Sequence, residues 1–153
     1  MRFALALFIG LIAATPASAQ YFSESQLAKV REVHVFVADD VDDGCLPHPN
    51  TLKNEAELVL RRSGIKTTEN KYVGHTYAIG TVGFAIKGGC AAGLSFQLYK
   101  FATLVDGTSG LVEASSTSFV MVGPKSGFQQ QLREAVSENI TALANQILKA
   151  RGQ

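Results

Sequence analysis

The chain has 153 residues, of which 46% are hydrophobic and 18% are charged, and its formal net charge at pH 7 is +1. This length suits one domain with a sizeable core. The near balance of 14 Lys and Arg against 13 Asp and Glu argues against a function based on electrostatic binding of nucleic acid or of an anionic membrane surface.

Residues 1–19 have the pattern of a cleavable signal peptide. Arg2 is the only charge before an apolar run from Phe3 to Ala14, and Pro16 precedes the small-residue triplet at 17–19. As a helix the run would span about 18 Å, which is too short for a hydrocarbon core of about 30 Å. We therefore expect a signal peptide at 1–19 and a single soluble α/β domain at 20–153, periplasmic or secreted and with no membrane span after cleavage.

Two cysteines, Cys45 and Cys90, remain after the predicted cleavage. An even number of cysteines in an oxidising compartment favours a disulfide bond between them. The alternatives are two free buried thiols or a metal-binding pair, although the sequence lacks four ligands at the spacing of a metal site. The disulfide would stabilise the domain by about 4 kcal/mol through loop-closure entropy.

The first part of the predicted domain contains a strand, a loop and a helix. Val33–Val37 alternates β-branched residues with others, which indicates a strand. The segment 39–49 is rich in Asp, Gly and Pro and predicts a loop. Apolar residues then recur at helical spacing from Leu52 to Arg62, and Gly64 follows where a left-handed helix end is favoured.

The second part predicts three strands and a long helix. Tyr77–Ile86 and Leu94–Leu104 show a period of two around the glycine-rich segment Gly88–Gly93, which indicates a hairpin. Leu111–Val122 predicts a further strand, and its polar centre indicates an exposed or edge strand. An amphipathic helix follows from Ser126, where a Gln three residues later completes a capping-box pattern.

This element order, β-α-β-β-β-α, predicts an α+β fold. We expect a two-layer α/β sandwich with a mostly antiparallel sheet and two helices on one face. If the first strand rises, the loop with Cys45, the turn with Cys90 and the segment 123–127 all lie at the same edge of the sheet. The topology and the disulfide prediction therefore agree with each other.

The loop after the first strand carries the densest cluster of candidate ligands. Clustered carboxylates are typical of sites for hard cations such as Ca²⁺, and a nearby histidine could join them as a ligand or base. The spacing does not fit an EF-hand, and a solvated acidic turn is the alternative that we prefer. The candidates for this ligand or metal edge are Asp39, Asp40, Asp42, Asp43 and His48.

A second candidate site is the start of the last helix. Lys125, Ser126 and Gly127 could hold an anion through helix N-terminal amides and the lysine ammonium group. The spacing is not that of a P-loop, and a capping turn is the preferred alternative. The sequence contains no nucleophile elbow, no zinc-binding motif and no cofactor fingerprint. We therefore predict no catalytic residue, no bound metal and no cofactor.

The signal peptide, the V-H-V-F-V strand, the helix ending in L-R-R-S-G-I and the hairpin before a long terminal helix resemble small exported bacterial proteins of unknown function. The resemblance covers most of the predicted domain but contains no diagnostic motif, and a likeness at the level of the fold does not by itself assign a function. Because the sequence has no catalytic motif, we expect a non-enzymatic binding or envelope-assembly module with an envelope protein as partner. One alternative is a small-ligand carrier with a pocket between helices and sheet, lined by Phe96, Leu98 and Phe128. The other is an enzyme with its site at the Asp39–His48 loop.

Overall fold

The computed structural model describes residues 24–42, 44–72, 74–103 and 105–153. The predicted signal peptide lies outside the described residues, and so does Asp43 of the acidic loop. None of the helices in these ranges combines the length and apolar character needed to cross a bilayer.

A five-stranded mixed sheet forms one layer of the domain, in the strand order β2-β1-β3-β4-β5. The neighbours β3, β4 and β5 pair antiparallel, and β1 pairs parallel with both β2 and β3. A 3₁₀ turn at Lys125–Gly127 precedes the last helix. The elements in chain order are α1 (Glu24–Leu27), β1 (Glu32–Val41), α2 (Asn50–Arg62), β2 (Lys66–Thr68), β3 (His75–Ile86), β4 (Gly89–Thr103), β5 (Ser109–Gly123) and α3 (Phe128–Ala150).

The α+β class is confirmed, but the predicted element order and the mostly antiparallel sheet are only partly correct. The prediction missed α1 and β2, because elements of four and three residues are too short to show a period. The parallel pairing of β1 with β3 follows from the intervening helix α2, which returns the chain to the starting end of the sheet.

The hairpin between β3 and β4 is tighter than predicted, because β4 begins at Gly89 rather than at Leu94. Gly89 lies so close to the carbonyl oxygen of Gly123 that a Cβ atom there would collide with it. This glycine therefore allows two strands to approach each other and is not part of a loop. The predicted edge position of the last strand is confirmed, since β5 is the outermost strand of the sheet.

The helix ends show one correct and one wrong prediction. Gly64 has a φ of +73°, and the amide of Ile65 donates to the carbonyl of Leu60 at 2.9 Å, as in a Schellman motif. The capping box at Ser126 is wrong, because α3 begins at Phe128 after the 3₁₀ turn and has no side-chain cap.

The core lies between one face of the sheet and the helices α2 and α3. Strand alternation turns one set of side chains toward the helices, and the inward face of α3 is buried along its length. Phe96, Leu98 and Phe128 are among these buried residues, with exposed fractions of 2% or less. They belong to the packed interior between the sheet and the two helices.

The disulfide bond between Cys45 and Cys90 is confirmed, with a Cα–Cα distance of 5.8 Å. It joins the loop after β1 to the first residues of β4. Cys90 of β4 lies opposite Gly123 of β5, and the 3₁₀ turn begins shortly after Gly123. The structure thus brings the loop, the disulfide, the hairpin turn and the start of α3 together at the same end of the strands.

Candidate functional site

The candidate functional site is the face of the sheet opposite the helices. Because side chains alternate along a strand, the residues that do not face α2 and α3 form a second surface across β1, β3, β4 and β5. Within the described residues, α2 and α3 lie on the other side of the sheet. We call this surface the helix-free face.

Large apolar side chains are exposed at both ends of the helix-free face. Near the β3–β4 turn, Val82 is 62% exposed, Phe84 57%, Val120 75% and Val122 66%. These four residues are called the turn-end patch. A soluble protein usually covers apolar side chains that lie side by side, so a cluster of them on one surface indicates an interaction site.

At the other end of the face, the exposed apolar residues surround a groove. It has a volume of about 580 Å³, and small residues such as Ala78 and Gly80 form its floor. We call it the aromatic groove after its walls, which consist of Phe36, Tyr72, Tyr99, Phe101 and Leu111. Aromatic side chains supply large contact areas at low entropic cost, which makes them common in binding surfaces.

One wall of the groove is held in place by a hydrogen-bonded turn after β2. The hydroxyl of Thr68 accepts from the amide of Asn70 at 3.2 Å, and the side chain of Asn70 accepts from the amide of Tyr72 at 3.0 Å. Such side-chain-to-backbone bonds stabilise turns without regular structure. The ammonium group of Lys71 lies 5.3 Å from the centre of the Tyr72 ring, which places one cation at the rim of the groove.

The groove also contains a small number of polar groups. Nδ1 of His34 is 3.0 Å from the carbonyl oxygen of Thr68 and donates to it, which fixes the orientation of the imidazole ring. Thr76 and Gln97 complete the polar lining. A mostly apolar surface with a few placed polar groups is the usual composition of a binding site.

A shallower depression extends the groove across the middle of the helix-free face. Its volume is about 470 Å³, and it shares Gly80 with the aromatic groove. Gly93 and Ser95 form its floor, and it reaches Ser118 and Val120 on the outermost strand. The two depressions together form a trough that runs from the aromatic groove to the turn-end patch.

The edge at the disulfide bond contains a separate and more polar depression of about 290 Å³. The predicted anion-site residues Lys125, Ser126 and Gly127 line it, together with Gly44 and Cys45. The backbone amide of the predicted ligand His48 donates to the side chain of Gln129 at 3.2 Å. This bond fixes the loop on the first turn of α3.

Within the described residues, the predicted acidic ligands do not converge on one point. Asp39 and Asp40 belong to β1, so they point to opposite faces of the strand. A carboxylate oxygen of Asp39 accepts from the hydroxyl of Thr81 at 3.1 Å, and Asp42 is exposed. Across the described residues, which omit Asp43, no three His, Cys, Asp or Glu side chains are placed to hold one metal ion.

Two titratable side chains are buried outside these depressions. Burial raises the pKa of Tyr77, whose hydroxyl donates to the side chain of Asn139 at 2.9 Å and so ties the sheet to α3. Burial, and secondarily the positive charge of Lys100, lowers the pKa of His75 at the start of β3. The hydrogen bond of Tyr77 stabilises the packing of the two layers.

Sequence reasoning missed the helix-free face, although the strands carry a signal for it. In a half-buried strand, apolar residues occupy every second position, so that only one face is apolar. In β3, however, Ile79 points inward and both Val82 and Phe84 point outward. The same doubling occurs in β5, where Phe119 and Met121 alternate with Val120 and Val122. Apolar residues that point to both sides of a strand are typical of strands with both faces covered.

Comparison with known proteins supports the fold. No protein-family model matches the sequence, and no curated protein matches it. Among solved structures, the protein XCC0632 from Xanthomonas campestris, assigned to the family DUF330, matches with a TM-score of 0.51 and 13% identity over 91% of this chain and 93% of that one. The PelC dodecamer from Paraburkholderia phytofirmans matches with a TM-score of 0.48 and 15% identity over 72% of this chain and 86% of that one. The chain thus shares its fold with a small bacterial protein of the DUF330 family.

Proposed function

We propose that this chain is an exported, non-enzymatic binding module that engages a protein partner through the aromatic groove. The observation that carries the proposal is the exposed apolar surface of the helix-free face, where Phe36 is 51% exposed and Leu111 is 52% exposed. Leaving such side chains in water has a cost of about 25 cal/mol for each Å² of apolar surface that a partner could cover.

The shape of the surface favours an extended apolar segment of a protein as the bound partner. The aromatic groove and the central depression form one trough, so an elongated segment can contact both. The lining is mostly apolar, with Lys71 at the rim, so the segment would have apolar side chains and would tolerate an acidic residue near that end. Aromatic walls of this kind often supply most of the binding energy of an interface.

Export of the chain is supported by two independent features. Residues 1–19 have the pattern of a signal peptide, and the only two cysteines of the chain form a disulfide bond. Disulfides persist in oxidising compartments and are rare in the cytosol. The envelope or the exterior of a bacterial cell is therefore where we propose that the partner is met.

Site-specific photo-crosslinking in intact cells tests the proposal. A photoreactive phenylalanine replaces Leu111 in the groove wall, and a control replaces Gln146, which is exposed on α3 away from the groove. We expect a defined protein adduct from position 111 that is absent from position 146 and is lost when Phe36→Ser is added. Equal adducts from both positions, or none from position 111, would contradict the proposed site.

A small apolar ligand is the second candidate, because the volume of the aromatic groove, about 580 Å³, lies within the range of small-molecule sites. This carrier hypothesis differs from the predicted one, since the groove lies on the helix-free face and not between helices and sheet. Native mass spectrometry of protein purified from its own compartment should show a bound mass that is lost in Tyr99→Ala. Only the unbound mass in repeated preparations would exclude the carrier hypothesis.

A further inference from the structure

The connection from β2 to β3 crosses the helix-free face. β1 lies between these two strands in the sheet, so the chain has to pass β1 on its way from one strand to the other. Lys71 and Tyr72 line the aromatic groove, which places the crossing on the helix-free side of β1. We call the segment Glu69–Tyr72 the wall turn, because it forms one wall of the groove.

The bonds within the wall turn act mainly on its local shape. The amides of Asn70 and Tyr72 donate to the side chains of Thr68 and Asn70, which lie next to the turn or within it. At the start of the turn, the carbonyl oxygen of Thr68 accepts from His34 of β1. The side chain of Tyr72, at the other end, is 69% exposed, so packing contributes little to its position over the groove.

An ion pair with the helix layer holds the wall turn from outside the groove. The ammonium group of Lys53, in the first turn of α2, donates to both carboxylate oxygens of Glu69, at 2.8 and 2.9 Å. This hydrogen bond lowers the pKa of Glu69 and raises the pKa of Lys53, so both groups are charged at neutral pH. Glu57, one helical turn further along α2, lies 3.5 Å from the ammonium group and helps to orient it.

We propose that Lys53 is a positioning residue for the aromatic groove, and that it acts through Glu69 on the wall turn. A wall that is in place before the partner arrives does not have to be ordered during binding, so the intact ion pair raises the affinity of the groove for its partner. This inference rests on the proposed function, because it concerns how tightly the groove binds that partner.

Binding by the groove should therefore depend on salt, although the lining of the groove is apolar. The side chain of Glu69 is 78% exposed and that of Lys53 is 27% exposed, so dissolved ions screen the pair as the salt concentration rises. Exposed ion pairs are weak, and the loss of one changes an equilibrium constant by about two- to fivefold. This range sets the size of the effect that we expect.

Amide hydrogen exchange of the purified protein measures the order of the wall turn without any partner. In Lys53→Met the amides of Asn70 and Tyr72 should exchange about two- to fivefold faster, whereas Lys53→Arg keeps the charge and should keep the slower exchange. The control Arg62→Met removes an exposed charge from the same helix and should leave both amides unchanged. Raising NaCl from about 0.05 M to about 1 M should speed the exchange in the natural chain but not in Lys53→Met.

The photo-crosslink from position 111 measures the effect on the groove itself. The yield of the defined adduct should fall about two- to fivefold in Lys53→Met and should be retained in Lys53→Arg and in Arg62→Met. Lys53 does not belong to the lining of the groove, so a lower yield reports the position of the wall turn and not a lost contact with the partner.

Three results would overturn the inference. They are equal exchange of the wall-turn amides in Lys53→Met and the natural chain, an unchanged adduct yield in Lys53→Met, and equal losses in Lys53→Met and Lys53→Arg. With a normal adduct from the natural chain, each of these results leaves the proposed function intact. The absence of any adduct from position 111 in the natural chain would instead overturn the proposed function, and this inference with it.

Discussion

Removal of the disulfide bond should lower the free energy of unfolding by about 4 kcal/mol. The bond joins residues separated by 45 positions, and it restricts the unfolded chain far more than the folded one. Both cysteines are buried, with exposed fractions of 1% and 0%, so the variant C45A/C90A also loses two buried sulfur atoms. The loss of packing adds to the loss of the chain restraint.

This loss is large compared with the stability of a domain of this size. Single domains typically have free energies of unfolding between about 5 and 15 kcal/mol, so the variant should remain folded in buffer but with a small margin. With a urea dependence of about 2 kcal/mol per molar, the midpoint of urea unfolding should fall by about 2 M. Circular dichroism at increasing urea concentrations measures this shift directly.

A matched control separates the stability lost with the disulfide bond from the stability lost with the two sulfur atoms. The natural chain, unfolded in a reducing agent and refolded under reducing conditions, keeps both sulfur atoms and lacks only the bond. It should show most of the loss seen in C45A/C90A. A loss below about 1 kcal/mol in both samples would refute the loop-closure argument.

Three further predictions concern pH, calcium and the groove. Because the pKa of His75 is lowered in the folded state, the unfolded chain takes up this proton at a higher pH than the folded chain does. The free energy of unfolding should therefore fall as the pH drops below about 6.5, and the slope should be smaller in His75→Gln. Urea titrations between pH 5 and 8 measure the slope, and an equal slope in both proteins would contradict the assignment to His75. About 10 mM Ca²⁺ should leave the free energy of unfolding unchanged, because Asp39 and Asp40 point apart. A calcium site with a Kd of about 0.1 mM would instead raise the free energy of unfolding by about 2.7 kcal/mol. The variant Leu111→Ser should change the free energy of unfolding by no more than about 0.5 kcal/mol, and it should abolish the crosslink formed by a photoreactive phenylalanine at position 72. A large loss of stability would show that Leu111 belongs to the core.

The features that could be predicted from the sequence are those set by local pattern. Gly64 ends α2 as expected, because a left-handed residue after a helix strongly favours glycine. The pairing of Cys45 with Cys90 needed only an even number of cysteines and a topology that places both at one edge. The polar centre of β5 correctly indicated its outermost position.

The features that were missed depend on long-range contacts. Nothing local in Lys66–Thr68 distinguishes a strand from a loop, and β2 forms because His34 and its neighbours offer a free edge of β1. Gly89 has the composition of a turn, yet the close approach of Gly123 places it in a strand. The aromatic groove combines residues from β1, β3, β4, β5 and the turn after β2, and no local pattern predicts that they meet.

The proposed function accounts for an unusual feature of the fold, a sheet with apolar residues on both faces. The helices cover one face, and the other face needs a cover that the described part of the chain does not supply. The walls of the aromatic groove extend from Phe36 to Leu111, at the end of the face away from Val120 and Val122.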